Sequence, residues 1–129
     1  MTQKNIEIMD KIVDEMAQGR SLSRALRKVY VKRNVAIPFC DEMFNINISS
    51  LNVPTRGYNA LMRKHLTTVN DVIEYGQKYP LADIQQFGKA SGVRLFEEIL
   101  DYAWSKMSQD ERVEFLIDVV ERNEGNVRK

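Results

Sequence analysis

Apolar residues recur along most of this chain at helical spacing, and the pattern changes in one place. Over residues 5–18, Ile6, Met9, Ile12, Val13 and Met16 fall on one face, while Glu7, Asp10, Lys11 and Asp14 take the other. That is an amphipathic helix, and Gly19 is a suitable stop. Its apolar face fits either core packing or a contact between copies of the protein. Ser21 then caps a second helix through about residue 32, with Leu22, Ala25, Leu26 and Val29 as its apolar side. Next the period shortens to two, with Val35, Ile37 and Phe39 on one side of the polar stretch 40–42 and Phe44, Ile46 and Ile48 on the other. Alternation around a short loop predicts a β-hairpin, with Pro38 confining its strand to an edge.

After the polar Ser49-Ser50 break the helical period returns. Pro54 opens a third helix to Lys64, where its missing N–H costs nothing. Thr68 and Asp71 form a capping box for a helix to about Lys78, which Tyr79-Pro80 ends. One short helical turn is expected over 81–85. Phe87-Gly88 makes a tight turn, and Ser91 starts a long helix to about Lys106 with Val93, Phe96, Ile99 and Leu100 on its inner face and Trp104 in the core. Ser108 and Glu111 cap a last helix to Arg122 on a face of Val113, Leu116, Ile117 and Val120. Asn123 and Gly125 end it. The expected organisation is an N-terminal helical and hairpin extension over 1–50, a helical domain over 51–124 that includes the last helix, and a frayed tail over 125–129. No flexible linker separates the two parts.

Composition narrows the function classes. The 129 residues carry a formal net charge of +1, so any attraction for a polyanion must come from local asymmetry rather than from a global field. That asymmetry is present: Arg20, Arg24, Arg27, Lys28, Lys32 and Arg33 follow one another without an intervening acid. They form either a solvated helix face or a second basic patch for phosphates. No apolar run approaches the length of a membrane span, and the start of the sequence lacks the apolar stretch of a signal peptide, so a cytoplasmic protein is expected. Cys40 and His65 are each the sole residue of their type. Neither a disulfide, a metal site nor a hydrolase triad can be assembled from them, and Glu97-Glu98 diverge on a helix. No enzyme activity, metal or cofactor is expected.

Binding chemistry has more support. Arg56 and Asn59 stand one turn apart at one helix opening, and Gly88, Lys89 and Ser91 stand at another. Helix N-termini offer unpaired N–H groups and a favourable dipole to phosphate, Arg suits a narrow minor groove, and glycine permits close backbone approach.

Three motifs in this region are specific: Leu51, Val53, Arg56, Asn59 and Leu61; then Thr68, Val69, Asp71 and Val72; then Gln86, Phe87, Gly88, Lys89, Ala90 and Ser91. Together they resemble the C-terminal domain of the bacterial RNA polymerase alpha subunit, over about Leu51 to Leu100. The resemblance implies a mainly α protein, a compact helical domain with a helix-hairpin-helix-like element; outside it, the hydrophobic pattern adds an N-terminal two-helix and possible β-hairpin extension and an extra C-terminal helix. It also implies minor-groove DNA binding through Arg56, Asn59, Ala60, Gly88, Ala90, Ser91 and Arg94, with Lys89 beside them. Ala90 stands where the family has a lysine, Gln86 where it has asparagine, and Arg94 where it usually has glutamate.

Such a sequence has no room for the large assembly domain of an alpha subunit. The expectation is therefore a freestanding bacterial or mobile-element protein that binds duplex DNA in transcription. The alternative is a non-enzymatic module docking on RNA polymerase or a transcription regulator. A homo-oligomer is compatible with either, and no membrane partner is expected.

Overall fold

A computed structural model describes residues 1–31, 35–39, 41–81, 84 and 87–128, the side chain of Lys89 excepted. Among the described residues the protein is helical: α1 (Gln3–Ala17), α2 (Leu22–Val29), α3 (Asp41–Phe44), a 3-10 turn (Ile48–Ser50), α4 (Thr55–Arg63), α5 (Val69–Lys78), α6 (Gly88–Lys106) and α7 (Gln109–Arg122). They form two compact units, one of residues 1–38 and 104–129 and the other of residues 39–103. The boundary expected between Ser50 and Leu51 falls inside the second.

In the first unit α1 packs on α2 and α7. Thr2 and Ser21 cap α1 and α2 by accepting from the N–H groups of Asn5 and Arg24. Ser108 caps α7 by accepting from the Glu111 N–H, and the Ser108 N–H donates to the Glu111 carboxylate at 3.0 Å, completing a capping box. The Ser108 backbone N–H, and after it the Ser108 hydroxyl, hold the Glu111 carboxyl below its ordinary range.

The buried residues of α1 are Asn5, Ile8 and Ile12; of the expected face Ile12 is buried and Met9 and Met16 are half-buried, but Ile6 and Val13 are 39% and 45% exposed. Apolar residues cover so wide an arc of this helix that period alone does not choose a face. The choice follows the polar contact: Asn5 Nδ2 donates to Glu124 at 2.8 Å. In α7 the buried residues are Phe115, Leu116, Val119 and Val120, while Val113 is exposed. Trp104 is half-buried rather than in the core. The Arg112 guanidinium lies 5.0 Å from its ring centroid, and Arg112 Nε donates to the Trp104 carbonyl at 3.1 Å.

Within the tail expected to fray, residues 126–128 are bound. Val31 N–H donates to Asn126 O at 2.8 Å and Arg128 N–H to Val29 O at 2.9 Å, an antiparallel bridge of Tyr30 with Val127. Backbone groups that would have faced water are thereby paired. Asn123, 5% exposed, holds the segment before the division: its side chain accepts from Ala36 N–H at 2.8 Å and donates to Ala36 O at 2.9 Å and Val119 O at 2.7 Å.

The second unit corrects the hairpin. Residues 35–39 form no strand, and Asp41–Phe44 is a turn of helix with its two acids at the favourable N-terminal end. Residues 46–48 do pair, but with 67–69: Ile48 N–H donates to Thr67 O and Val69 N–H to Ile46 O, both at 2.9 Å. Phe44 of the expected alternation ends the helix, and Ile46 and Ile48 flank a segment whose partner lies about twenty residues downstream rather than across Cys40, which itself falls outside the described residues. The core gathers Ile48, Leu51, Leu61, Leu66, Val69, Val72, Phe87, Leu95 and Ile99. In α6 the inner residues are Leu95, Ile99, Leu100 and Ala103, with Gly92; Val93 and Phe96 are 46% and 43% exposed. Small Gly92 and Ala103 mark the true inner face, which an inspection of large apolar residues alone misses. The turn expected over 81–85 is described only at Leu81 and Ile84, where Ile84 N–H donates to Leu81 O at 3.1 Å.

Candidate nucleic-acid interface

α4 begins after Pro54, whose ring presets the backbone (φ −54°) but offers no capping side chain. The first N–H groups of a helix have no intrahelical acceptor. At α5 they are served by Thr68, which accepts from Asp71 N–H at 3.2 Å, while Asp71 Oδ2 accepts from the backbone of Thr67 (3.0 Å) and Thr68 (3.1 Å). Those two N–H groups hold the Asp71 carboxyl below its ordinary range. The N-terminus of α5 is therefore occupied by the protein's own carboxylate, whereas that of α4 is not. Arg56 and Asn59 stand on the first turns of α4, Arg56 exposed and Asn59 solvent-facing. Ala60, a contact position by resemblance, is 1% exposed and belongs to the core.

α6 starts at Gly88, three residues before the expected Ser91. Gly88 has φ +75°, and nothing lies within 4 Å of where a Cβ would stand. It is the left-handed backbone, rather than crowding, that requires glycine here. Ala90 and Arg94 are exposed and Ser91 is half-buried. Arg94 Nε lies 3.6 Å from Glu98 Oε1 in a half-exposed pair that holds it weakly. Lys89 is described in its backbone only, and Gln86 lies outside the described residues.

Phe87 brings the two openings together. Its ring is 3% exposed, and a methyl group added at Gly57 of α4 or at Gly92 of α6 would meet it at 3.7 Å. Both helices lean on this ring through a residue without a side chain. Arg56 is adjacent in sequence to Gly57, as Gly88 is to Phe87. His65, at φ 59°, ends α4 in the left-handed region, and Leu66 N–H donates back to Leu61 O at 3.0 Å.

The basic residues of the first unit are a separate set. Arg24, Arg27 and Lys28 are on the exposed side of α2, and Arg20 pairs with Glu15 at 2.8 Å. Lys32 and Arg33 lie outside the described residues. Arg128 joins the set, lining one groove with Arg20, Arg24, Arg27 and Lys28. Nothing local in the sequence marks it; its place depends on the pairing of 126–128 with 29–31. Among the described residues no helix is long and apolar enough to cross a membrane.

Residues 40–102 match the family model described as the C-terminal domain of the bacterial RNA polymerase alpha subunit. The match begins before Leu51, taking in α3 and the segment that pairs with 67–69. Over 59 residues the sequence is 39% identical to a DNA-directed RNA polymerase subunit alpha of Thermosynechococcus vestitus, covering 46% of this protein and 18% of the relative. Over 116 residues it is 27% identical to a protein of the same name from Dehalococcoides mccartyi, covering 90% of this protein and 35% of the relative. The second match is longer than 40–102 and so reaches residues of the first unit. The protein spans well under half the length of these curated relatives. No solved structure matches it significantly.

Proposed function

Because residues 40–102 match the family model of the C-terminal domain of the bacterial RNA polymerase alpha subunit, we propose that this protein binds duplex DNA in a transcription-related role, through phosphates and the minor groove. It does so in the cytoplasm, without enzymatic activity or cofactor. The observation that carries the reading is the packing of the α4 and α6 openings on Phe87. Arg56 enters the groove, where the negative potential of A·T-rich sequence is greatest. Asn59 bonds sugar or phosphate, and Gly88, Ser91 and the backbone at Lys89 bring N–H groups to a phosphate. Arg94 adds a cation, offsetting the lysine that Ala90 replaces.

A binding assay on A·T-rich duplex at low salt tests this. Wild-type affinity falls steeply with salt, and Arg56→Ala lowers it by about tenfold or more, the loss of roughly 1–3 kcal/mol expected for an inserted arginine. Wild type without measurable affinity, or Arg56→Ala binding as tightly as wild type, defeats the reading. In that case docking on RNA polymerase takes its place. Val93 and Phe96, apolar and exposed on α6, favour that alternative, and recovery of polymerase from nuclease-treated extract is its signature.

A further inference from the structure

We propose that the groove lined by Arg20, Arg24, Arg27, Lys28 and Arg128 is a second contact for the phosphate backbone of duplex DNA, carried by the first unit outside residues 40–102. The choice of duplex DNA as occupant rests on the reading of residues 40–102 given above; the groove's affinity for a repeating anion does not. Arg24 stands on the first turn of α2 with Arg27 and Lys28 one turn further on, roughly 5–6 Å away, and Arg20 precedes the cap Ser21. That is a track for a charged polymer rather than a socket for one small anion. The fifth cation comes from far along the sequence. The pairing of Val31 and Val29 with Asn126 and Arg128 carries Arg128 to the groove, and Arg128 Nε reaches the Arg27 carbonyl at 3.4 Å.

The lining chooses among occupants. Among the described residues, four of its five side chains are arginines, whose planar fork matches phosphate. Among the described residues the lining includes no apolar side chain to anchor a protein partner and no aromatic ring on which single-stranded bases could stack. The carboxylate beside the groove's edge, Glu15, is committed to Arg20. With a net charge of only +1 for the whole protein, five cations at one groove, Arg20 among them paired with Glu15, leave a local excess of positive charge that an anionic polymer relieves.

The test measures binding of mixed-sequence and A·T-rich duplexes by the full-length protein between about 50 and 200 mM salt. It compares wild type, the double variant Arg24→Ala/Lys28→Ala, Arg128→Ala and Arg56→Ala. Arg24 and Lys28 are exposed and alanine keeps the helix, so folding is preserved and circular dichroism verifies it. The double variant should lose about tenfold or more in affinity near 0.1 M salt, equally on both duplexes, and its log K against log salt should flatten by about two; Arg128→Ala should flatten it by about one. Both groove variants behaving as wild type while Arg56→Ala is impaired overturns the groove and leaves the first reading standing. Groove variants impaired with Arg56→Ala unchanged does the reverse. Poly-glutamate competing as strongly as DNA at equal charge assigns the groove to an acidic protein and overturns the proposal, and wild type binding neither duplex at low salt overturns both readings.

Discussion

Burial pushes the Tyr30 phenol up to about 12, because a phenolate there would lose its hydration. The ring is 1% exposed, and its hydroxyl has no hydrogen-bond partner among the described residues. An unpaired buried hydroxyl costs stability, so Tyr30→Phe should leave the protein as stable as wild type at neutral pH or up to about 1 kcal/mol more stable. The alkaline range sharpens the difference. Between pH about 10 and about 12 the unfolded state releases this proton and the folded one keeps it, so wild-type stability falls with rising pH. Urea denaturation across that window should show the variant's advantage widening; a constant difference would contradict the assigned environment. Tyr30 could not have been identified from pattern, since its cover depends on a tail whose sequence reads as free. Asn123 is similar: it reads as a helix stop, and it is one, but its amide also fastens Ala36 from a distance of 87 residues.

Among elements, those with chemical punctuation were legible. Thr68 with Asp71 and Ser108 with Glu111 both form the capping boxes their spacing announces. Asp71→Ala should cost about 0.5–1 kcal/mol at neutral pH, a modest figure because the carboxylate is solvent-screened. Its carboxyl is held low by the Thr67 and Thr68 N–H groups, so its contribution is present above the unfolded value and lost as pH falls through the folded one. Thermal unfolding should therefore find the gap between wild type and variant closing below about pH 4; a gap persisting undiminished to about pH 2 would contradict the cap. Helix faces were less legible. In α1 and α6 the inner faces run through Asn5, Gly92 and Ala103, which are polar or small, while Val13 and Phe96 remain outside. The hairpin failed because strand alternation names a segment and not its partner.

At the scale of the molecule, the division into units could not be read from composition, since no linker marks it and the first unit combines both ends of the sequence. The motifs from Leu51 to Ser91 nevertheless identified the second unit, because each encodes a local geometry: Pro54 a helix opening, Gly88 a left-handed corner. What no motif expressed was Phe87 as the ring on which Gly57 and Gly92 rest, a relation visible only in the folded state. The central claim is that the openings of α4 and α6 present one DNA-binding surface. Amide chemical-shift mapping of the labelled full-length protein during titration with an A·T-rich duplex tests it directly. The largest shifts should fall together on Arg56, Asn59, Gly88 and Ser91, saturating at one common affinity. Shifts that leave Arg56 and Gly88 unmoved while the duplex binds elsewhere would contradict it.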